Sequence, residues 1–498
     1  STISDFAKRY KKNILGIIQH CENKDVVELT PSDYSDKNLT IEELEYLREK
    51  YEANGNNNIT DIYPLTPMQQ GMLFHSLLNQ QSSAYFDQTS YIAKGRLDIE
   101  LMEKSINILL SKYDILRTVI AHKGLNQPRQ IVLKEMQARI FYKDITHIDK
   151  LDRKGFVEEF EASDRKKAFN LSEDLLIRMS VLKVGKEAYK VIWSTHHILI
   201  DGWSMWTILK DFFEVSANLK SNKAISSNNV SQYVNYINWL QKQSNLKAKE
   251  YWSEHLKDYE TCVDLPRITE EKGNEYLQRD VNFNINNTLT AELNRAAQLC
   301  KVTVNTIIQA IWGILLQKYN NTDDCVFGSV VSGRNNQVES IDDMVGLFIN
   351  MIPVRIKNDK NSTFKELIRE TQRIALESDQ YDYYPLADIQ TLTNIKNKLI
   401  TTKIAFQNYY IDEKLKSFNF LSQLGYNVEQ INGFEQTNYD FNIKIVPSDE
   451  IDITFSFNGN VYDDITVTNI KNHFLKIMEI VIHNMDILVS EIDITTGE

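Results

Sequence analysis

Two stretches of this chain, about 60–230 and about 270–490, each alternate strand-type and helix-type apolar periodicity. In the first, Leu101 to Tyr113 reads as a helix with Leu101, Ile106, Leu109 and Leu110 facing in. Leu175 to Val184 and Ala188 to Thr195 read as strands, and Ser204 as the cap of a helix with the stripe Met205, Ile208, Leu209, Phe212 and Phe213. In the second, Asn305 to Tyr319 is a strongly apolar helix and Cys325 to Val331 a buried strand. Ile404 to Asn408 alternates, and Ile451 to Phe457 leads into Asn458-Gly459, which reads as a hairpin turn. A recurrence of this kind calls for an α/β chain of two lobes joined near residues 230–270.

The first sixty residues read differently. Phe6, Tyr10, Ile14, Ile17 and Ile18 form one apolar stripe of a helix, followed by the turn-rich Leu29-Thr30-Pro31-Ser32-Asp33. A second helix opens on the capping box Thr40-Ile41-Glu42-Glu43 and closes at Asn54-Gly55. The first stripe has a counterpart near the far end in Ile470, Phe474, Met478, Val481 and Ile482. Residues 1–23 therefore read as the last helix of a similar domain lying upstream in a longer, repeating polypeptide. The chain is 42% hydrophobic, which suffices for large cores, and its net charge of −12 disfavours nucleic acid or an anionic membrane as partner. No apolar run approaches the ~18 residues of a spanning helix. The 4 cysteines show no paired spacing. Reduced thiols in a cytoplasmic protein are the expectation.

The sharpest local signal is Trp193-Ser194-Thr195-His196-His197-Ile198-Leu199-Ile200-Asp201-Gly202-Trp203-Ser204. It starts on a strand, turns at Asp201-Gly202 and enters a helix. Strand alternation puts His197 with Tyr189, Val191 and Trp193, and His196 with Ile192 and Ser194 on the other face. The pair is therefore not two ligands of one metal, and no metal is expected. An imidazole at a strand end, a carboxylate four residues on and the N–H groups of a helix start suit proton transfer and oxyanion binding.

This HHxxxDG turn resembles that of nonribosomal peptide synthetase condensation domains, and the likeness continues along residues 59–495. Tyr63-Pro64-Leu65-Thr66-Pro67-Met68-Gln69-Gln70-Gly71-Met72-Leu73-Phe74-His75 is similar to the family's opening motif; Met68, Met72, Leu73 and Phe74 read as core. Tyr113-Asp114-Ile115-Leu116-Arg117-Thr118 resembles the second, with Tyr113-Asp114 where His-Glu is common. The fourth is matched by Tyr233 to Trp239, the fifth by Val345 to Arg355, and the last two by Tyr383-Tyr384-Pro385-Leu386 and Ala405-Phe406-Gln407-Asn408-Tyr409. The resemblance implies two chloramphenicol-acetyltransferase-like lobes in a V, a pseudo-dimer: residues 59–235 and 236–498, with 1–58 as the upstream helix and linker. It implies amide formation between a donor thioester and the amine of an acceptor aminoacyl thioester, brought on phosphopantetheine by two carrier domains, with no cofactor bound by this chain. It carries catalytic roles onto His197, His196 and Gly202, and a structural pairing of Asp201 with Arg117. Trp203, Ser204, Asn350 and Gly333 are carried over as tunnel or substrate-binding residues.

Both histidines and the lack of a Glu-Gly-His-Gly-Arg-type motif separate the chain from heterocyclisation and epimerization relatives. An epimerization domain and a catalytically silent carrier-recruiting platform remain the alternatives. The passage Leu29 to Asp36 resembles the linker that follows epimerization domains, and the opening motif resembles the subtype that accepts a D-configured donor. Neighbouring epimerization and adenylation domains and a monomeric state are expected.

Overall fold

The structure, a computed structural model, describes residues 2–22, 29–52, 58–78, 84–225, 230–268, 276–334, 337–359, 361–407 and 424–494. The expected helix end at Asn54-Gly55 and the motif residues Asn408 and Tyr409 lie outside the described residues.

Helix α1 (Thr2–Glu22) buries none of its residues; Phe6, Tyr10, Ile17 and Ile18 stand exposed. The next segment does not stand apart as the sequence suggests. Helix α2 (Ile41–Tyr51) begins at Thr40, whose side chain accepts from the Glu43 N–H while Glu43 accepts from the Thr40 N–H. Its Leu44 and Leu47, with Tyr34 and Leu39, share a core with β1 (Ile59–Pro64), β3 (Thr118–Ala121) and β4 (Arg129–Leu133), which form a three-stranded sheet in the order β1-β4-β3. Arg129, 1% exposed, binds Asp36 at 2.6 Å and Glu43 at 3.1 Å beneath that core.

The first lobe continues with α3 (Pro67–Leu78), β2 (Phe86–Gly95), α4 (Ile99–Lys112), β5 (Phe141–Asp144), α5 (Asp152–Lys167), β6 (Ile177–Gly185), β7 (Ala188–His196) and α6 (Gly202–Lys220). Odd residues of β7 face α4 and α6, where the Trp193 and Phe212 rings meet edge to face at 5.0 Å. Even residues face α5: Ile192 packs with Leu182 and Ile145, and Ser194 donates to Asp164 at 2.5 Å.

Helices α7 (Val234–Leu240) and α8 (Asn245–His255) lead to the second lobe: β8 (Gln278–Ile285), α9 (Asn287–Cys300), α10 (Val304–Asn320), β9 (Asp324–Val331), β10 (Asn350–Lys357), α11 (Phe364–Ser378), α12 (Leu386–Thr391), β11 (Thr402–Phe406), β12 (Tyr426–Glu435), β13 (Phe441–Val446), β14 (Ile451–Asn458) and α13 (Asp464–His483). Six strands form one sheet, β10-β9-β11-β13-β14-β8, with α10 at the centre of its core and the α13 stripe Ile470, Phe474, Met478 and Val481 buried against it. Asn458-Gly459 is not a hairpin turn: it leads into α13, and β14 pairs with β13 and β8.

Strand β12 crosses over. It joins the first lobe's sheet, in the order β12-β2-β7-β6-β5, so chain order and sheet membership part company there. Residues 338–348 likewise pack into the first lobe's core through Val338, Ile341, Met344, Leu347 and Phe348. No single described helix is long and apolar enough to cross a membrane.

Candidate active site

Strand β7 ends at His196, and the chain turns through His197–Ile200 into α6. The His197 N–H donates to the Tyr85 carbonyl at 2.7 Å, so the histidine extends the line of β7 against the residue before β2. Its Nδ1 lies 2.7 Å from the Ile200 carbonyl, which only accepts, so Nδ1 carries the proton and Nε2 holds the lone pair of the neutral ring. Asp87 Oδ2 stands 3.5 Å from Nδ1 and Glu435 Oε1 4.0 Å from Nε2. Burial pulls the His197 pKa down, but the Asp87 and Glu435 carboxylates with the Ile200 carbonyl overcome it and hold the imidazole above its ordinary value.

His196 faces the other way. Its Nδ1 accepts from the Ile198 N–H at 3.1 Å, its Nε2 is left to meet Ser76 Oγ at 3.3 Å, and Phe169 lies edge-on to its ring. Burial, then the His197 charge, pushes its pKa down to about 3. Grouped with the catalytic residues by resemblance, His196 instead has both ring nitrogens engaged in holding the turn.

Asp201 caps α6, not Ser204: its Oδ1 accepts from the Ser204 N–H at 2.8 Å. Its Oδ2 accepts from the Phe348 N–H at 3.1 Å. The expected pairing with Arg117 is not formed. Arg117 binds Asp114 and donates to the Leu110 and Leu133 carbonyls, closing the second motif on itself. The guanidinium near Asp201 belongs to Arg334, 3.6 Å away and only 4% exposed. Arg334 also donates to Ser204 Oγ and the Met344 carbonyl and stacks 4.1 Å from the Phe348 ring. A three-residue offset within one short helical turn is enough for Asp114 to outcompete a carboxylate on another element.

Three residues carried over as tunnel-lining have other work. Ser204 is fully buried and its hydroxyl donates to the Gly346 carbonyl at 2.7 Å. Asn350 gives its amide to the Asp382 and Tyr384 carbonyls at 2.6 and 3.2 Å, joining the fifth motif to the sixth. Gly333 has φ +60°, and a Cβ there would meet the Phe348 carbonyl oxygen at 1.9 Å, so it permits close backbone approach. Trp203 is 37% exposed and donates to the Asp342 carbonyl at 3.2 Å. In the opening motif, Gln69 donates to the Ile198 carbonyl at 2.9 Å and so supports the histidine turn, while Phe74, expected in the core, is 60% exposed.

A cavity of about 370 Å³ is lined by Asp87, Ile200 and Glu435, the three groups that His197 approaches. Asp87, Thr89 and Thr195 line it from the sheet, Gly202, Met205 and Trp206 from the start of α6, and Gly433, Glu435 and Lys444 from the second half of the chain. The acidic partners and the Met205 and Trp206 wall were not anticipated. Asp87 stands in the polar run Asp87-Gln88-Thr89-Ser90 of β2, so neither it nor Glu435 carried a local signal. Among the described residues no three His, Cys, Asp or Glu side chains group as metal ligands.

The Condensation domain family profile matches residues 59–498. The chain belongs to the condensation-domain family. Condensation domains are the amide-bond-forming acyltransferases of nonribosomal peptide synthetases. The chain is 37% identical over 503 residues to bacitracin synthase 1 of Bacillus licheniformis, which covers 100% of this chain and 9% of that protein. The chain thus spans about a tenth or less of the curated relatives it matches first. Its fold is similar to the starter condensation domain of rhizomide synthetase RzmA, at 16% identity and TM-score 0.72, covering 88% of this chain and 100% of that one. It is equally similar to the X-domain solved in complex with OxyB from teicoplanin biosynthesis, at 16% identity and TM-score 0.73, covering 89% and 97%. The architecture is therefore the two-lobed, acetyltransferase-like α/β fold of this family.

Proposed function

We propose that this condensation domain joins a donor peptidyl or aminoacyl thioester, D-configured at its reacting residue, to the amine of an acceptor aminoacyl thioester. Both substrates arrive on the phosphopantetheine arms of carrier domains, with epimerization and adenylation domains as neighbours in the same synthetase. The observation that carries the reading is the His197 ring: its Nδ1–H is committed to the Ile200 carbonyl, which leaves the Nε2 lone pair as the base, 4.0 Å from the cavity-lining Glu435. The acceptor ammonium gives one proton to Nε2, its freed lone pair adds to the donor carbonyl, and the nitrogen later gives a second proton to the departing thiolate. The carbonyl oxygen then becomes an oxyanion, and the Gly202 N–H at the start of α6 lies on the same cavity wall. Collapse breaks the C–S bond and releases the donor carrier's thiol.

The D-donor assignment is supported by the resemblance of residues 29–36 to an epimerization-domain linker. The exposed stripe of α1 matches the stripe that α13 buries, which supports reading the start of 1–58 as the last helix of an upstream domain; the linker that follows packs on the first of the two lobes, 59–235 and 236–498. Loading the donor carrier separately with D- and L-terminated peptidyl groups tests the assignment. Faster amide formation from the D epimer is expected; equal rates or a faster L epimer overturn it. Racemisation of one loaded carrier without an acceptor would reveal an epimerase, and no turnover with either carrier a recruiting platform.

A further inference from the structure

Where β12 joins β2, two acids meet on one rung: Glu435 and Asp87 are direct cross-strand partners. Like charges placed opposite each other weaken strand pairing. This rung closes the first lobe's sheet with a strand from the far end of the chain, so positive charge is needed there. His197 supplies some of it, lying 3.5 Å from Asp87 and 4.0 Å from Glu435. Lys403 and Lys444 of β11 and β13 add more and favour ionised Glu435 against the cost of its burial. Yet the acids remain short of donors. Asp87 Oδ1 is buried and accepts no hydrogen bond. Glu435 has a side chain 37% exposed on the cavity wall, and among the described residues its one ion-pair contact is the 4.0 Å approach to His197. His197 Nδ1–H is already given to Ile200.

A primary ammonium group brings three N–H donors, which the acids on this wall are short of, together with a positive charge that suits them. We propose that the exposed Glu435 carboxylate, with Asp87 behind it across the rung, seats the α-ammonium group of the acceptor substrate beside His197 Nε2. The proposal rests on the condensation reading above. The seated ammonium passes one proton to Nε2, and the freed lone pair forms the C–N bond at the donor carbonyl. The C–S bond then breaks, the departing thiolate takes the second proton from nitrogen, and His197 returns its own to solvent. A hydroxyl or water in the same place carries no charge for Glu435 to hold, so the seat also favours aminolysis over hydrolysis of the donor.

The test uses the full chain with two loaded carriers, wild type against Glu435→Gln. The acceptor amino acid that the wild type joins fastest is then built into an amide-linked aminopantetheine analogue and its des-amino counterpart, and binding of both is measured by calorimetry. The wild type should prefer the amine analogue by about tenfold, in the range of a charged hydrogen bond. Glu435→Gln should bind the two alike and raise the acceptor KM by a similar factor, while Glu435→Asp keeps a weakened preference. A Glu435→Gln chain that still prefers the amine overturns the seat, even if its pH profile moves, because a residue that merely tunes His197 leaves binding of the amine unchanged. Should Glu435→Gln not fold, an undiminished amine preference in Glu435→Asp overturns the seat in the same way. A wild type that forms no amide from any loaded pair defeats the condensation reading and the seat with it.

Discussion

The two adjacent histidines differ in which ring nitrogen carries the proton. His197 donates from Nδ1 to a carbonyl and keeps its lone pair on Nε2, whereas His196 accepts at Nδ1 from a backbone N–H. One residue of strand register decides this, since it turns one ring toward Asp87 and the other toward Ser76 and Phe169. His197→Ala is therefore expected to slow amide formation by about 10²–10⁴ with the melting temperature little changed, as read from single-turnover rates with loaded carriers. A raised imidazole pKa moves the loss of the free base to higher pH, so the wild-type rate should climb through that raised value. Near-normal condensation by His197→Ala would remove it from the reaction. The HHxxxDG pattern made this pair legible in the sequence, because alternation is a local rule. Glu435 was not legible, because nothing local marks the strand end that a distant sheet edge will bring to the site.

At the scale of elements, the turn into α6 is held by the segment that follows β9. Asp201 caps the helix with one oxygen and takes the Phe348 N–H with the other, Ser204 bridges both backbone groups of Gly346, and Arg334 closes the set. Gly346 has to be glycine: a Cβ there would lie 2.1 Å from the Tyr233 ring, whose hydroxyl donates to the Leu347 carbonyl. The third, fourth and fifth motifs are thus one packed unit. Asp201→Ala removes the carboxylate beside the buried Arg334, the α6 cap and the acceptor for the Phe348 N–H, which should cost roughly 3–5 kcal/mol by denaturant unfolding. Arg117→Ala should leave this turn unaffected. An unchanged stability for Asp201→Ala would contradict the role assigned here. The sequence places Asp201 at a turn; which arginine it meets depends on a contact between segments more than 130 residues apart.

Across the whole molecule, the segment before residue 59 divides into a part that is built in and a part that is not. Asp36 and Glu43 hold the buried Arg129, and Leu44 and Leu47 fill the core below β4, whereas α1 buries nothing. Asp36→Ala should lower stability by about 3–5 kcal/mol, as expected for one partner lost from a buried pair. Deleting residues 1–22 should leave the unfolding midpoint where it is; a large drop would show that α1 has a partner within this chain. Helices α1, α2, α4, α6, α10 and α13 and strands β6, β7, β9, β11 and β14 were readable from apolar period and capping boxes, since these depend on neighbours within a few residues. That two α/β lobes would form, and that HHxxxDG would sit on a strand-to-helix turn, therefore followed from the sequence by itself. The crossing of β12 into the first sheet, the Arg334 partner of Asp201 and the facing acids Asp87 and Glu435 were decided only by tertiary structure. A sheet edge pairs through backbone hydrogen bonds that any strand can satisfy, so its partner is chosen by how whole layers pack, and no local pattern records that choice.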